Sequence, residues 1–311
     1  GQAPSLWLGL ALGELALRGR DKLTFVVDPP VDALGLWLEQ LVAESSGKHG
    51  RGIVPVADEP LAAPGEYGAD RVFVHIHDEH RADAERTRQL DALAAAGHPV
   101  ITIPFAERRD LGAQFFHAEL TTAVACSVLG VNAFDQPNVQ EAKDLAIATL
   151  DAYECDGALP ADDAPALAGD AAATALRALL DAHARPGAYV ATMAYLPPLF
   201  DDALTTLRLA IRRRTRAATT VGYGPRFLHS TGQLHKGGPP SGVFIQLVDE
   251  CRDVEPISSF GYGFATLIHA QARGDGRALR ERGLPFVRID MERDPLAAIN
   301  ALAAALNEGV V

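Results

Sequence analysis

The sequence predicts an α/β protein with a three-layer αβα arrangement, in which helices cover both faces of a mostly parallel sheet. Short apolar runs rich in β-branched and aromatic residues recur along the chain, and segments with helical spacing of apolar residues lie between them. Apolar runs bounded by Gly, Pro or Asp are typical of strands buried on both faces, as in parallel sheets. Because these runs alternate with helical segments, we expect the α/β class.

The individual elements follow from the same patterns. Strands are predicted at residues 22–28, 71–77, 99–105, 188–196, 241–248 and 285–291. Helices are predicted at residues 31–44, 83–96, 111–129, 139–150, 201–214, 260–273 and 295–306. Gly47 lies just beyond the first of these helices, and glycine is common where a helix ends.

One segment is a candidate domain boundary. Residues 154–175 are rich in Ala, Asp, Pro and Gly and contain few large apolar side chains, a composition typical of a linker or a surface excursion. We therefore expect a first domain at 1–150 and a second α/β unit at 151–311. The sequence leaves open whether the two halves share one extended sheet, and it shows no internal repeat with a period of about 20–50 residues.

The net charge and the cysteine content argue against several kinds of partner and of structural site. The 28 basic and 40 acidic residues give a formal net charge of −12, which argues against nucleic acid as a partner. The arginines at 212–214 are expected to form a solvated helix face. Cys126, Cys155 and Cys251 form no C-x-x-C pair, which argues against a disulfide framework and a structural zinc site. No apolar run reaches the roughly 18 residues that a bilayer span needs, so we expect a cytoplasmic protein without a membrane partner.

A first candidate site lies at the end of the helix predicted at 31–44. Gln40 and Glu44 are four residues apart and therefore share one helix face. A carboxylate in the last turn faces the negative end of the helix dipole, which is a suitable place for a general base. The alternative is that Glu44 is a solvated surface glutamate without a catalytic role.

A second candidate is the segment 132–143, with the sequence NAFDQPNVQEAK. Pro137 is typical of the first turn of a helix. Lys143 lies seven residues beyond Gln136, so the two side chains are expected to face the same side. The alternative is a capped helix whose lysine is solvated and has no functional role.

A third candidate is the loop predicted at 222–241, which contains His229, His235, Arg226, Lys236 and several glycines. Backbone N–H groups and cations in such a loop can approach an anion such as a phosphate. The spacing does not match a Walker loop.

A fourth candidate is formed by His75, His77 and His80. Two of these histidines would share one strand face, so a metal site is conceivable. The interpretation that we favour is a strand that ends in a polar loop, so no metal is predicted.

Taken together, the first two segments resemble glucose-6-phosphate isomerases, and more closely the C-terminal part of the isomerase half of fused transaldolase/glucose-6-phosphate isomerase polypeptides. Residues 40–48, QLVAESSGK, resemble the family pattern Q-x-x-x-E-S-x-G-K. Residues 132–143 resemble N-x-F-D-Q-x-G-V-x-x-x-K, with Asn138 at the position of the family glycine. The family's T-N-G-Q-H string has its nearest likeness in residues 231–235, TGQLH, which lie later in the chain and contain an additional Leu.

The resemblance implies reversible conversion of glucose 6-phosphate and fructose 6-phosphate through a cis-enediolate, without a cofactor. It assigns the catalytic roles to Glu44 as the base, to Lys143, and to His235 as the ring-opening group, with His229 as its competitor. Sugar-phosphate contacts are expected from the side chains of Gln40, Gln136, His229 and Lys236.

The resemblance also implies a sugar isomerase (SIS) fold and an N-terminal SIS domain with an S-x-S-G-T-T phosphate cradle, which this sequence lacks. We therefore expect a fragment whose partner is that missing domain, and a homodimer is a further expected arrangement. Two alternatives stay open, a non-catalytic SIS-type sugar-phosphate-binding module and a metal-dependent hydrolase that uses the histidines at 75–80.

Overall fold

The computed structural model describes residues 4–81, 83–161, 164–249 and 257–308, so Cys251 lies outside the described residues. The strands are β1 (Lys22–Val27), β2 (Val54–Val56), β3 (Arg71–Asp78), β4 (Val100–Phe105), β5 (Tyr189–Tyr195), β6 (Ala218–Tyr223), β7 (Gly242–Val248) and β8 (Phe286–Asp290). The helices are α1 (Pro4–Leu17), α2 (Leu34–Ser46), α3 (Ala84–Ala95), α4 (Leu111–Leu129), α5 (Gln140–Asp156), α6 (Gly169–His183), α7 (Asp201–Thr215), α8 (Thr231–Gly237), α9 (Phe264–Glu281) and α10 (Pro295–Asn307).

The strands form two four-stranded parallel sheets, with the orders β2-β1-β3-β4 and β6-β5-β7-β8. The predicted α/β class is confirmed, and each of the six predicted strands is present. The described halves do not share one extended sheet, which answers the question that the sequence left open. The division into domains at 154–175 stays a prediction. The helix α5 lies before most of that segment and packs along α9, an element of the second half.

Each sheet is covered on both faces. In β3, Val72, Val74 and Ile76 pack in a cluster with residues of α1, α2 and α4. Phe73 points to the other face, where Leu90 and Leu93 of α3 cover it. This alternation is the period of two that a strand imposes on its side chains. In the second sheet, α6, α7 and α10 cover one face and α9 covers the other.

The two sheets repeat one topology, because β1–β4 and β5–β8 occupy corresponding places in the two orders. The edge strands β2 and β6 lie next to each other. The end of α2 meets the loop after β6, and the end of α7 meets the loop after β2. At the second of these junctions Arg212 donates to the carbonyl oxygen of Pro60 over 2.7 Å and lies 3.7 Å from the carboxylate of Glu59.

Glu59 is the buried centre of this second junction. Its fully buried carboxylate lies 2.6 Å from the guanidinium of Arg71 and accepts a 2.6 Å hydrogen bond from Thr219. Burial alone would raise the pKa of Glu59, but the guanidinium groups of Arg71 and Arg208 outweigh it and lower the pKa. The expectation that residues 212–214 form a solvated face is wrong for Arg212, whose side chain is buried by these contacts.

Two further findings bear on the class of protein. No helix in the described ranges combines the length and the apolar character that a membrane crossing would need. Among the described cysteines, Cys126 is buried and Cys155 is exposed, and both are free.

Candidate functional site

The end of α2 presents the predicted pair of polar residues. Gln40 is exposed and Glu44 is half-buried, one helical turn apart. The amide of Gln40 donates to Oε2 of Glu44 over 3.3 Å, as their spacing predicted. The same oxygen accepts a 3.1 Å hydrogen bond from the backbone N–H of Ser230, which lies in the loop between β6 and α8. Glu44 therefore lies where the two halves of the chain meet.

Lys48 connects the first two motifs. Its side chain is fully buried, its ammonium group lies 2.9 Å from the carboxylate of Asp135, and it donates to the backbone carbonyl of Asn132. The hydrogen bond from Lys48 lowers the pKa of Asp135. The segment 132–138 is thus held against the end of α2.

Gln233 of α8 joins the third segment to both. Its amide donates to the carbonyl oxygen of Gly47 over 2.8 Å and to Oδ1 of Asn138 over 3.0 Å. Its own carbonyl oxygen accepts the backbone N–H of Asn138 over 2.9 Å. Gln233 was not among the predicted site residues, and the signal for it in the sequence was its place in the TGQLH string.

The segment predicted as one loop at 222–241 is largely ordered into a short 3-10 turn at Arg226–Leu228 and the helix α8. That prediction is wrong for residues 231–237, because packing on α2 supports a helix that is too short and too polar to be recognised from its pattern. Gly47 permits this packing, since a Cβ atom there would lie 2.4 Å from Cα of Leu234. Ser230 precedes α8 with a φ of 48°, a strained conformation for a residue other than glycine.

Gln136 and Lys143 do not lie on one helix. The helix α5 begins only at Gln140, so the seven-residue spacing does not run along one helix. Gln136 is exposed in the preceding loop, whereas Lys143 is half-buried in the first turn of α5. The start of α5 is fixed by an ion pair between Glu141 and Arg282.

The two candidate histidines have different environments. His235 is buried and packs among aromatic rings, with ring centroids 5.8 Å from Phe227 and 5.0 Å from Phe244. Burial lowers the pKa of His235 far below its ordinary value, and neither ring nitrogen has a hydrogen-bond partner among the described residues. His229 is exposed and immediately precedes Ser230, the residue that donates to Glu44. His229 is therefore an exposed histidine next in sequence to the residue that bonds to Glu44.

Lys236 is committed to internal partners. Its buried ammonium group forms an ion pair with Asp275 and donates to the carbonyl oxygens of Phe227 and Gly232, over 3.0 and 3.4 Å. The structure therefore gives this cation a role inside the protein and does not bring it to the surface that Glu44 shares.

A second acid–base group, which no sequence pattern indicated, lies in α2 five residues before Glu44. Glu39 is buried, and its Oε1 accepts a 3.0 Å hydrogen bond from the guanidinium of Arg226. Burial raises the pKa of Glu39 to about 7, although the charge of Arg226 acts in the opposite direction. The guanidinium also lies 3.5 Å from Oγ of Ser230, so it borders the same junction.

A separate cluster contains two of the histidines considered for a metal. The carboxylate of Asp28 accepts hydrogen bonds from Nε2 of His75 over 3.1 Å and from Nδ1 of His77 over 2.9 Å, and it pairs with Arg86. Burial alone would raise the pKa of Asp28, but these hydrogen bonds lower it to about 2. His80, the third histidine of that segment, is exposed and is not among the candidate metal ligands found in the described residues.

Comparison with known proteins gives one relative by sequence. No family model matches the chain. A protein named glucose-6-phosphate isomerase, from Rubrobacter xylanophilus, is 29% identical over 184 residues, which cover 46% of this chain and 42% of the relative.

Three solved structures illustrate the similarity by fold. A hypothetical protein from Thermus thermophilus has a TM-score of 0.37 at 16% identity, over 99% of this chain and 86% of that one. The C-terminal domain of glucosamine-fructose-6-phosphate aminotransferase from Francisella tularensis has a TM-score of 0.27 at 11% identity, over 97% and 89%. A putative phosphosugar isomerase from Salmonella typhimurium has a TM-score of 0.29 at 11% identity, over 98% and 90%. TM-scores this low do not establish a common fold.

The sequence relationship is therefore the informative one. Over part of its length the chain is similar to a protein named glucose-6-phosphate isomerase, and it spans about two fifths of that relative's length.

Proposed function

We propose that the chain carries the acid–base machinery for aldose–ketose isomerisation between glucose 6-phosphate and fructose 6-phosphate, with Glu44 as the base. The observation that supports this best is the convergence at Glu44. Three segments distant in sequence, which end at Lys48, begin at Asn132 and include Gln233, are fixed to one another. The loop that leads into the third segment donates to the half-buried carboxylate of Glu44 through the backbone N–H of Ser230. The partial similarity to the Rubrobacter protein adds a second line of support.

The chemistry needs one base that moves a proton between adjacent carbons. In the proposed reaction Glu44 takes the proton from C2 of the open-chain aldose, and the C–H electron pair forms the C1=C2 double bond of the enediolate while the C1 carbonyl becomes an oxyanion. The same carboxyl group returns the proton to C1, and the proton of the O2 hydroxyl passes to O1, which leaves the C2 carbonyl of the ketose. Oε2 of Glu44 is held by Ser230 and Gln40, and Oε1 accepts no hydrogen bond from a described residue. Oε1 is thus the oxygen that we assign to proton transfer.

Ring opening needs a group that can donate and accept protons at the sugar oxygens. We assign this role to exposed His229, which precedes the residue bonded to Glu44, rather than to His235 inside the protein. Lys143 and Gln136 are proposed to contact the sugar from the edge of the segment that Lys48 and Gln233 hold.

We further propose that the chain works within a longer polypeptide, whose preceding SIS domain supplies the phosphate cradle. The observation behind this proposal is that the sequence contains no S-x-S-G-T-T phosphate cradle.

The test is Glu44→Gln in the longest natural polypeptide that contains the chain. Conversion of fructose 6-phosphate would be followed by coupling glucose 6-phosphate to reduction of NADP⁺. We expect a loss of about 10²–10⁴-fold in kcat with an unchanged Tm. The matched control, Glu119→Gln on an exposed site of α4, should keep full activity.

Activity of Glu44→Gln within a few-fold of the parent would contradict the assignment. If the parent is inactive but binds the sugar phosphate, the non-catalytic module is the correct interpretation.

A further inference from the structure

Asp28 and two histidines meet at the carboxyl ends of the two central strands of the first sheet. Asp28 directly follows β1, and because Val27 pairs with Ile76 of β3, Asp28 is level with His77. In the order β2-β1-β3-β4, the strands β2 and β3 lie on opposite sides of β1, so the direction of the connections reverses between β1 and β3. The crevice between such strands is where open α/β sheets bind ligands.

The donor atoms have the separation that a metal ion requires. Nε2 of His75 and Nδ1 of His77 lie 3.1 and 2.9 Å from oxygens of the Asp28 carboxylate, and one ligand atom from each residue lies within 4.8 Å of the others. A tetrahedral ion with bonds of about 2.1 Å places its ligand atoms about 3.4 Å apart. The two measured separations are within about 0.5 Å of that distance.

We propose that Asp28, His75 and His77 form a binding site for a divalent transition metal of the Zn²⁺ class. Two imidazole nitrogens and one carboxylate favour Zn²⁺ or Co²⁺ over Mg²⁺ and Ca²⁺, which prefer oxygen ligands. The side chain of His77 is 33% exposed, whereas those of His75 and Asp28 are buried. The fourth coordination position therefore faces solvent on the side of His77.

Arg86 is the competitor for this site. Its guanidinium forms an ion pair with the buried Asp28 carboxylate, and its Nε lies 3.8 Å from Asp83. A bound dication would neutralise the Asp28 carboxylate in place of Arg86. The displaced guanidinium could then pair with the carboxylate of Asp83. The ion and Arg86 are thus alternatives, and the affinity for the metal includes the cost of displacing Arg86.

The site is independent of the proposed isomerase chemistry. The helix α2 begins at Leu34, shortly after Asp28, and carries Glu44 ten residues further on, about 15 Å along the helix axis. Loss of the metal site would therefore leave the assignment of Glu44 unaffected, and the reverse also holds.

The experiment titrates ZnCl₂ into the chelator-treated full chain by calorimetry and uses Co²⁺ absorption to report the coordination. We expect one ion per chain with micromolar affinity and the intense visible bands of tetrahedral Co²⁺. His75→Gln and His77→Gln should each weaken binding about tenfold or more, and His80→Gln is the matched control that should not. Arg86→Gln should tighten binding because the competitor is removed.

Circular dichroism and Tm establish that each variant is folded, and the partly exposed His77 keeps one informative variant available if His75→Gln does not fold. Absence of saturable binding to the parent chain overturns the proposal. Equal affinity in the parent and His77→Gln overturns it as well, since the ion would then be held by other surface histidines.

Discussion

Gln233 and Asn138 are joined by two hydrogen bonds that run in opposite directions. The backbone N–H of Asn138 donates to Oε1 of Gln233 over 2.9 Å, and Nε2 of Gln233 donates to Oδ1 of Asn138 over 3.0 Å. The two residues are 95 positions apart in the chain. Since the same amide also reaches Gly47, a single buried glutamine determines how three segments sit around Glu44.

We expect Gln233→Leu to lower the free energy of unfolding by about 2–3 kcal/mol, because three hydrogen bonds are lost and buried backbone groups of Asn138 and Gly47 lose their partner. Urea denaturation measures the change. Gln140→Leu is the control, since exposed Gln140 bonds only to Asp144 on the same helix, and its effect should stay within about 0.5 kcal/mol. Equal effects of the two changes would show that Gln233 is not a structural centre.

Gly47→Ala should destabilise the protein by about 1–3 kcal/mol or more, because the new methyl group would collide with the backbone of Leu234. The comparison is Gly65→Ala, where a Cβ atom would have no neighbour within 4 Å. Thermal denaturation of both variants checks this. If Gly47→Ala is as stable as Gly65→Ala, the close approach of α8 to α2 is not as described.

Glu59→Gln is expected to cost about 3–5 kcal/mol of unfolding free energy, since the fully buried guanidinium of Arg71 loses the carboxylate that neutralises it. Glu85→Gln, which breaks an exposed ion pair with Arg88, should change the same quantity by less than about 1 kcal/mol. Denaturant midpoints at constant m-value provide the measurement. A mild effect of Glu59→Gln would mean that the junction does not depend on this carboxylate.

Glu39 should make stability depend on pH. Its pKa is about 7 in the folded protein against 4.5 ordinarily, so between these values the folded protein holds a proton that the unfolded chain releases. The free energy of unfolding should therefore fall as the pH rises from about 4.5 to about 7 and then level off. Glu39→Gln should remove this contribution, so the difference between variant and parent should increase in favour of the variant across the window. A difference that is independent of pH would place the pKa of Glu39 near its ordinary value.

The fold could be predicted as far as local patterns specify it. The six predicted strands were recognisable because each is a sustained apolar run, whereas β2 has only three residues, one of them Pro55. The helix α1 was missed because it is apolar on all sides and shows no amphipathic stripe. The helix α6 overlaps the Ala- and Gly-rich segment that was interpreted as a boundary.

The site could be predicted only where its contacts join residues that are close together in the sequence. Gln40 and Glu44 share one turn, so their contact follows from helix geometry. The partners of Lys48 and Lys236 lie far away in the chain, and a sequence pattern cannot distinguish a buried structural cation from one that binds a ligand. A single helix carrying both Gln136 and Lys143 is not found, because the turn at 137–139 delays the start of α5.

The repeated junction has a mechanical consequence. A movement of the two sheets past each other would separate Glu44 from Ser230, and the buried pairing of Arg212 with Glu59 at the companion junction opposes that movement. The junction at Glu59 thus holds the two sheets together, whereas the junction at the end of α2 presents the carboxylate of Glu44 where the two halves of the chain meet. The orientation of Glu44 is consequently preorganised before a ligand binds. We expect a ligand to bind there without a closing movement of the two halves of the chain.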